Sequence, residues 1–176
     1  MRNLVILIMS IMTLSGFGQN VVKKKNEQVA TPKQKQVMKI VNFDQLQTVL
    51  KKNDNKLYVL NFWATWCKPC VDELPGFMEV NKSFRSNPHF KMILVSMDIA
   101  LEFDSGVKSF IAKNKIEPDV YLLDDNKRMN EWIPAVDKQW SGAIPATVFY
   151  RNGKKLEFKE GKMEKRELVQ IINKYL

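Results

Sequence analysis

An apolar run, Leu57-Tyr58-Val59-Leu60-Asn61-Phe62, hands over within a few residues to Trp66-Cys67-Lys68-Pro69-Cys70 and then to a helical pattern. A short run that is apolar at nearly every position suits a strand covered on both faces, which calls for helices packed on either side of a sheet. Two cysteines separated by two residues at a helix start close a small disulfide ring, or open to a dithiol, with little backbone movement. Cys67 is placed at the positive end of the helix dipole, beside backbone N–H groups without helical partners, and this favours thiolate over thiol. Cys70, one turn in, is expected to be more shielded and placed to attack a mixed disulfide formed on Cys67. Pro69 fits a first helical turn, where its missing N–H costs no hydrogen bond, and it stiffens the link between the sulfurs. These are the two cysteines of the whole sequence, and their placement reads as a redox centre.

Three other uses of the pair stay open at this level. Zinc needs about four ligands, whereas the sequence offers no second cysteine pair and a lone His89 after Asn87-Pro88. A purely structural disulfide across so short a loop restrains the unfolded chain little. Copper(I) suits two thiolates, but no methionine or histidine cluster flanks the motif. The expectation is therefore no metal and no cofactor.

The chain opens Met1-Arg2-Asn3, continues apolar from Leu4 to Leu14, and then reads Ser15-Gly16-Phe17-Gly18-Gln19. This is the pattern of a secretory signal peptide over residues 1–18, with Gly16 and Gly18 as the small residues before a cleavage point. The apolar run is shorter than the roughly 20 residues of a membrane span, although an uncleaved anchor stays open. Export agrees with disulfide chemistry, which persists outside the reducing cytosol. The expected location is extracytoplasmic, either soluble after cleavage or tethered to the membrane by the N-terminus.

Residues 19–36 are polar, without apolar period, and read as a flexible tether; residues 37–176 have the size of one domain. The net charge of +9 suggests an anionic partner until it is located along the chain. Residues 19–39 hold six lysines against Glu27 alone, while residues 40–176 carry 21 basic and 18 acidic side chains. The domain itself therefore has no strong electrostatic footprint, and no nucleic-acid partner is expected.

Within the domain, Lys39 to Val41 reads as a strand, and Asn42 followed by Phe43, Leu46 and Leu50 as a capped amphipathic helix. The helix after the cysteines places Val71, Leu74 and Met78 on one face, with a kink expected at Pro75. Phe90 to Met97 reads as a buried parallel strand. A helix capped by Asp104 or Ser105 follows, then a strand over Asp119 to Leu123, then a helix from Asn126 to Trp132 that Pro134 stops. Thr147 to Tyr150, Arg151-Asn152-Gly153, and Leu156 alternating with Phe158 form a hairpin. Leu168, Ile171, Ile172 and Tyr175 mark a last helix.

This order, with Asn61-Phe62-Trp63-Ala64-Thr65-Trp66-Cys67-Lys68-Pro69-Cys70 after a strand and Ile144-Pro145-Ala146-Thr147 before the hairpin, resembles the thioredoxin superfamily. More narrowly it resembles the exported TlpA/ResA-type thiol/disulfide oxidoreductases. The resemblance implies an α/β fold, a thioredoxin-like mixed central sheet with helices on both faces. It implies a cis bond between Ile144 and Pro145 facing the disulfide, with the Ile144 backbone pairing with an extended substrate segment. Trp66 would flank the same groove.

Asn61 departs from thioredoxin, which carries a buried aspartate there. The exported branch tends to have a glutamate three residues after the second cysteine, and here that is Glu73, expected to relay a proton to or from Cys70. The other reading of Glu73 is a solvated first-turn acid favoured by the helix dipole. Lys68 replaces thioredoxin's glycine and is expected to favour the thiolate form somewhat. The implied activity is reduction of disulfides in exported client proteins, apocytochrome c among them, by a monomer that draws electrons from a membrane-bound thiol reductant. The rival readings are a disulfide oxidase or isomerase using the same residues, a non-catalytic binding module, and a copper carrier. A peroxidase is disfavoured because no separate peroxidatic cysteine exists.

Overall fold

The computed structural model describes residues 35–176; the expected leader and nearly all of the expected tether lie outside the described residues. The elements run β1 (Met38–Val41), α1 (Phe43–Leu50), β2 (Leu57–Trp63), α2 (Lys68–Phe84), β3 (Phe90–Ser96), α3 (Lys108–Lys113), β4 (Asp119–Leu123), α4 (Met129–Val136), β5 (Ala146–Arg151), β6 (Lys154–Glu160) and α5 (Lys165–Tyr175). The six strands make one sheet in the order β1-β4-β3-β2-β5-β6. The first four in that order are mutually parallel; β5 is antiparallel to β2, and β6 is antiparallel to β5.

All seven residues of β2 are buried, as a central strand with both faces covered requires. Its even positions, Tyr58, Leu60 and Phe62, pack with α1 and α4 through Phe43, Leu46, Trp132 and Val136. Its odd positions face α2, α3 and α5: Leu57 and Val59 join Phe77, Leu168 and Ile172, and Trp63 joins Cys70, Leu74 and Ile111. Asn61 and Trp63 therefore point to the helix that carries the cysteines.

Local chemistry explains several boundaries. Asn42 caps α1 in a reciprocal box with Gln45, each side chain binding the other's backbone N–H. Asn152 and Gly153 turn the β5–β6 hairpin with φ of 51° and 72°, the pair of positive values that a two-residue turn matching strand twist demands.

Three expectations are corrected. No side chain caps a helix at Asp104 or Ser105; the segment is a 3-10 turn over Ala100–Glu102 and a wide π turn over Phe103–Val107 before α3 begins. Pro134 lies inside α4, which starts at Met129 and continues to Val136. It removes one backbone donor near the helix end, and the helix stops two residues later rather than at the proline. The inward face of α2 is Cys70, Glu73, Leu74, Phe77, Val80 and Asn81, with Val71 and Met78 only half-buried. An apolar-only reading of this face skips Glu73 and Asn81, which are polar and buried.

Candidate active site

Cys67 is the N-cap residue of α2, and Cys70 lies in the first turn. Their sulfurs are joined in a disulfide with Cα atoms 5.3 Å apart. Cys70 is fully buried, and Cys67 is 5% exposed, with its Sγ 3.8 Å from the Ile144 carbonyl oxygen. No side chain caps α2, so its first N–H groups remain available to a negative sulfur on Cys67. Lys68 is exposed and paired with Asp72, 2.8 Å away, which offsets its charge on the neighbouring cysteine. Trp66 is 67% exposed and forms a rim to the site.

The Ile144–Pro145 peptide is cis and stands against Cys67. Pro145 is buried and its carbonyl accepts from Gly161 N–H at 2.7 Å. The loop that delivers it is held from two sides. Trp140 Nε1–H donates to the Ala143 carbonyl at 2.8 Å, and the Glu160 carboxylate accepts from Ser141 N–H at 3.0 Å and from the Ser141 hydroxyl. Trp140 itself lies in the core against Phe62, at a ring distance of 4.7 Å. Hydrogen bonding to Ser141 draws the Glu160 carboxyl below its ordinary value.

Glu73 is 4% exposed. It is not a solvated acid at a helix start. Asn61 Nδ2–H donates to Glu73 Oε1 at 2.7 Å and to Thr147 Oγ1 at 3.2 Å, and Met163 N–H donates to Glu73 Oε2 at 2.8 Å. Burial pushes its carboxyl pKa up, and the hydrogen bonds from Met163 and Asn61 oppose this without cancelling it. One helical turn separates Glu73 from Cys70, and both lie on the inward face of α2.

Sequence reasoning passed over Asp98. It is 2% exposed, at the end of β3, and its carboxylate accepts from Thr65 N–H at 3.1 Å, Thr65 Oγ1–H at 2.6 Å and Ser96 Oγ–H at 2.7 Å. It ties the turn before the cysteines to the neighbouring strand. The available signal was its position, an acid directly after a buried parallel strand, where α/β sheets gather their functional groups. Among the described residues no cluster of His, Cys, Asp and Glu side chains could hold a metal ion.

Comparison with known proteins agrees with this geometry. Residues 29–159 match the family model described as the AhpC/TSA family. The thiol-disulfide oxidoreductase ResA of Bacillus thuringiensis subsp. konkukian (strain 97-27) is 24% identical over 153 residues, covering 85% of this chain and 81% of its own. StoA from Bacillus subtilis superposes with a TM-score of 0.52 at 26% identity, covering 67% of this chain and 83% of its own. A thiol:disulfide interchange protein of the thioredoxin family from Chlorobium tepidum TLS shares the fold, with a TM-score of 0.58 at 22% identity over 73% of this chain and 83% of its own.

Proposed function

The chain belongs to the AhpC/TSA family and is a thioredoxin-like thiol–disulfide oxidoreductase, and from that premise we propose that it works in the reducing direction, on disulfides of exported client proteins. The observation that carries the reading is the pairing of an N-cap Cys67, 5% exposed, with a Cys70 that is fully buried, opposite a cis proline loop.

The reduced protein begins with Cys67 as thiolate, favoured by the N-terminus of α2. It attacks one sulfur of a client disulfide, forming a Cys67–client bond as the client's own S–S bond breaks and its other sulfur leaves as thiolate. Cys70 then gives up its proton and attacks Cys67 Sγ, closing the Cys67–Cys70 bond and releasing the second client sulfur. The client gains two electrons and the enzyme loses two; a membrane-bound thiol reductant restores the dithiol. Glu73 acts as the acceptor for the Cys70 proton, a task suited by its raised pKa and its place one turn away. The backbone of Ile144 pairs with the client segment that carries the attacked sulfur, with Trp66 beside it. Clients include apocytochrome c, whose haem-binding cysteines must be reduced before attachment. The leader-like pattern of residues 1–18 supports an extracytoplasmic setting, with which disulfide chemistry agrees.

Cys70→Ser tests the reading. The variant should accumulate mixed disulfides between Cys67 and clients on non-reducing gels, resolved by added thiol. Absence of such adducts in a variant that still carries a reactive Cys67 would remove the reductase role.

A further inference from the structure

The small net charge of the domain hides an uneven distribution between the two ends of the sheet. Lys51, Lys52 and Lys56 lie in the connection that leads into β2, Lys154 opens β6, and Lys113 and Lys115 come just before β4. β2 and β4 run parallel to β3, and β5 runs antiparallel to β2, so all three connections fall at the end where β2 and β4 begin. Among the described residues none of these six lysines is in an ion pair. Lys51 Nζ donates to the neutral side chain of Gln47 at 2.9 Å, which leaves its charge uncompensated. Two of the connections are locked together. Asn55 N–H donates to Asn152 Oδ1 at 2.8 Å, and the Arg151 guanidinium donates to Asn55 Oδ1 at 2.9 Å. At the sulfur end lysines are neutralised instead, Lys68 by Asp72 and Lys108 by Asp104, while Glu102 and Asp124 are exposed acids outside any of these pairs.

We propose that the lysine-rich end is a docking face for an anionic lipid surface, on which the domain rests with its sulfurs directed away from the bilayer. The lysines come from separate loops and surround no enclosed site, an arrangement suited to a diffuse sheet of headgroup charge. The large apolar side chains exposed elsewhere include one aromatic, Trp66, which lies beside the sulfurs, so the lysine end has no stacking platform for nucleic-acid bases. The chain also enters the domain here. Gln36 Nε2–H donates to the carbonyls of Ile116 at 3.0 Å and Pro118 at 2.6 Å, next to Lys115. The sequence before Gln36 carries Lys23, Lys24 and Lys25 after the apolar run of residues 4–14, the kind of basic segment that anionic headgroups attract. The docking face is independent of the direction of electron flow through the cysteines.

The test measures partition of the full chain onto vesicles of phosphatidylglycerol and phosphatidylcholine in equal parts, against vesicles of phosphatidylcholine alone. Wild type should favour the anionic vesicles. Lys51→Gln/Lys52→Gln/Lys154→Gln is expected to weaken that binding roughly a hundredfold at low salt. Lys108→Gln/Lys127→Gln/Arg166→Gln removes the same charge from the sulfur end and should change it far less. Equal losses in the two variants would show that net charge alone drives binding, and wild-type binding by the first variant would assign it to the residues before Gln36; either result overturns the docking face. Binding to soluble polyglutamate but not to anionic vesicles would assign the lysines to an acidic polypeptide and overturn the lipid reading. Alkylation of reduced Cys67 by a water-soluble reagent should run as fast on the vesicles as in solution, and protection of Cys67 by the vesicles would overturn the orientation.

Discussion

A carboxylate one helical turn from a buried sulfur is subject to opposing demands, and Glu73 shows how they are balanced. Desolvation raises its pKa, whereas Met163 N–H and Asn61 Nδ2–H stabilise the ionised form. Asn61 supplies the hydrogen bond without a second titrating group; an aspartate there would set two buried acids side by side. In the proposed reductive mechanism the ionised form of Glu73 is the useful one, since there it takes the Cys70 proton. Closure of the Cys67–Cys70 bond should therefore speed up as pH rises through the raised Glu73 pKa. Glu73→Gln should abolish that inflection and slow the resolving step on the order of a hundredfold, with attack by Cys67 on a small disulfide retained. Single-turnover kinetics across pH would measure both steps; an unchanged profile would show that Cys70 loses its proton elsewhere.

At the scale of elements, the site sits where the parallel strands end. Met97 N–H binds the Trp63 carbonyl at 2.8 Å just beyond the β2–β3 pairing, and Asp98 then reaches across to Thr65. This acid holds two loops with one side chain. Asp98→Ala would leave the Thr65 N–H and the Ser96 hydroxyl without their acceptor, and should cost about 2–3 kcal/mol in urea unfolding.

How much of this was legible in the sequence follows from which signals are local. The β2 run, the cysteine spacing, the Asn152–Gly153 turn and the Asn42 cap are each written in adjacent residues, and each element appears where those residues lie. The π turn over Phe103–Val107 is not local. It arises because Phe103 and Val107 both fill the space beside Trp63 and Cys67, a constraint set by tertiary packing. Asp98 and Glu160 escaped for the same reason: their partners Thr65 and Ser141 are 33 and 19 residues away. Glu73 was recognised by resemblance, yet its burial depends on the loop that brings Met163 N–H to it from 90 residues downstream.

For the molecule as a whole, global unfolding sums ionisations of opposite sign. Asp125 is held below its ordinary value of 3.8 by the hydrogen bond from Arg128, and Glu157 below 4.5 by Tyr175 and Lys174. Such groups stabilise the fold above their unfolded pKa and lose that contribution as pH falls through their folded values. Asp125 and Glu157 are themselves partly buried, but their cationic partners Arg128 and Lys174 reach the solvent, so their share is screened. Glu73 acts in the other direction. Its folded pKa is raised above 4.5, so its contribution is complete below that pH and is lost as pH rises through the raised value. The melting temperature of wild type relative to Glu73→Gln should therefore decline from pH 4.5 upward, and a difference constant with pH would contradict the raised pKa.

The sheet order has one more consequence. β1 is parallel to β4, β4 to β3, and β3 to β2. Met38 thus opens β1 at the pole where these strands begin, while Cys67 follows β2 at the pole where they end. The described chain thus enters the sheet at one pole and carries its sulfurs at the other. Like a lamp on its stem, the domain could be gripped at the start of β1 with its disulfide left clear.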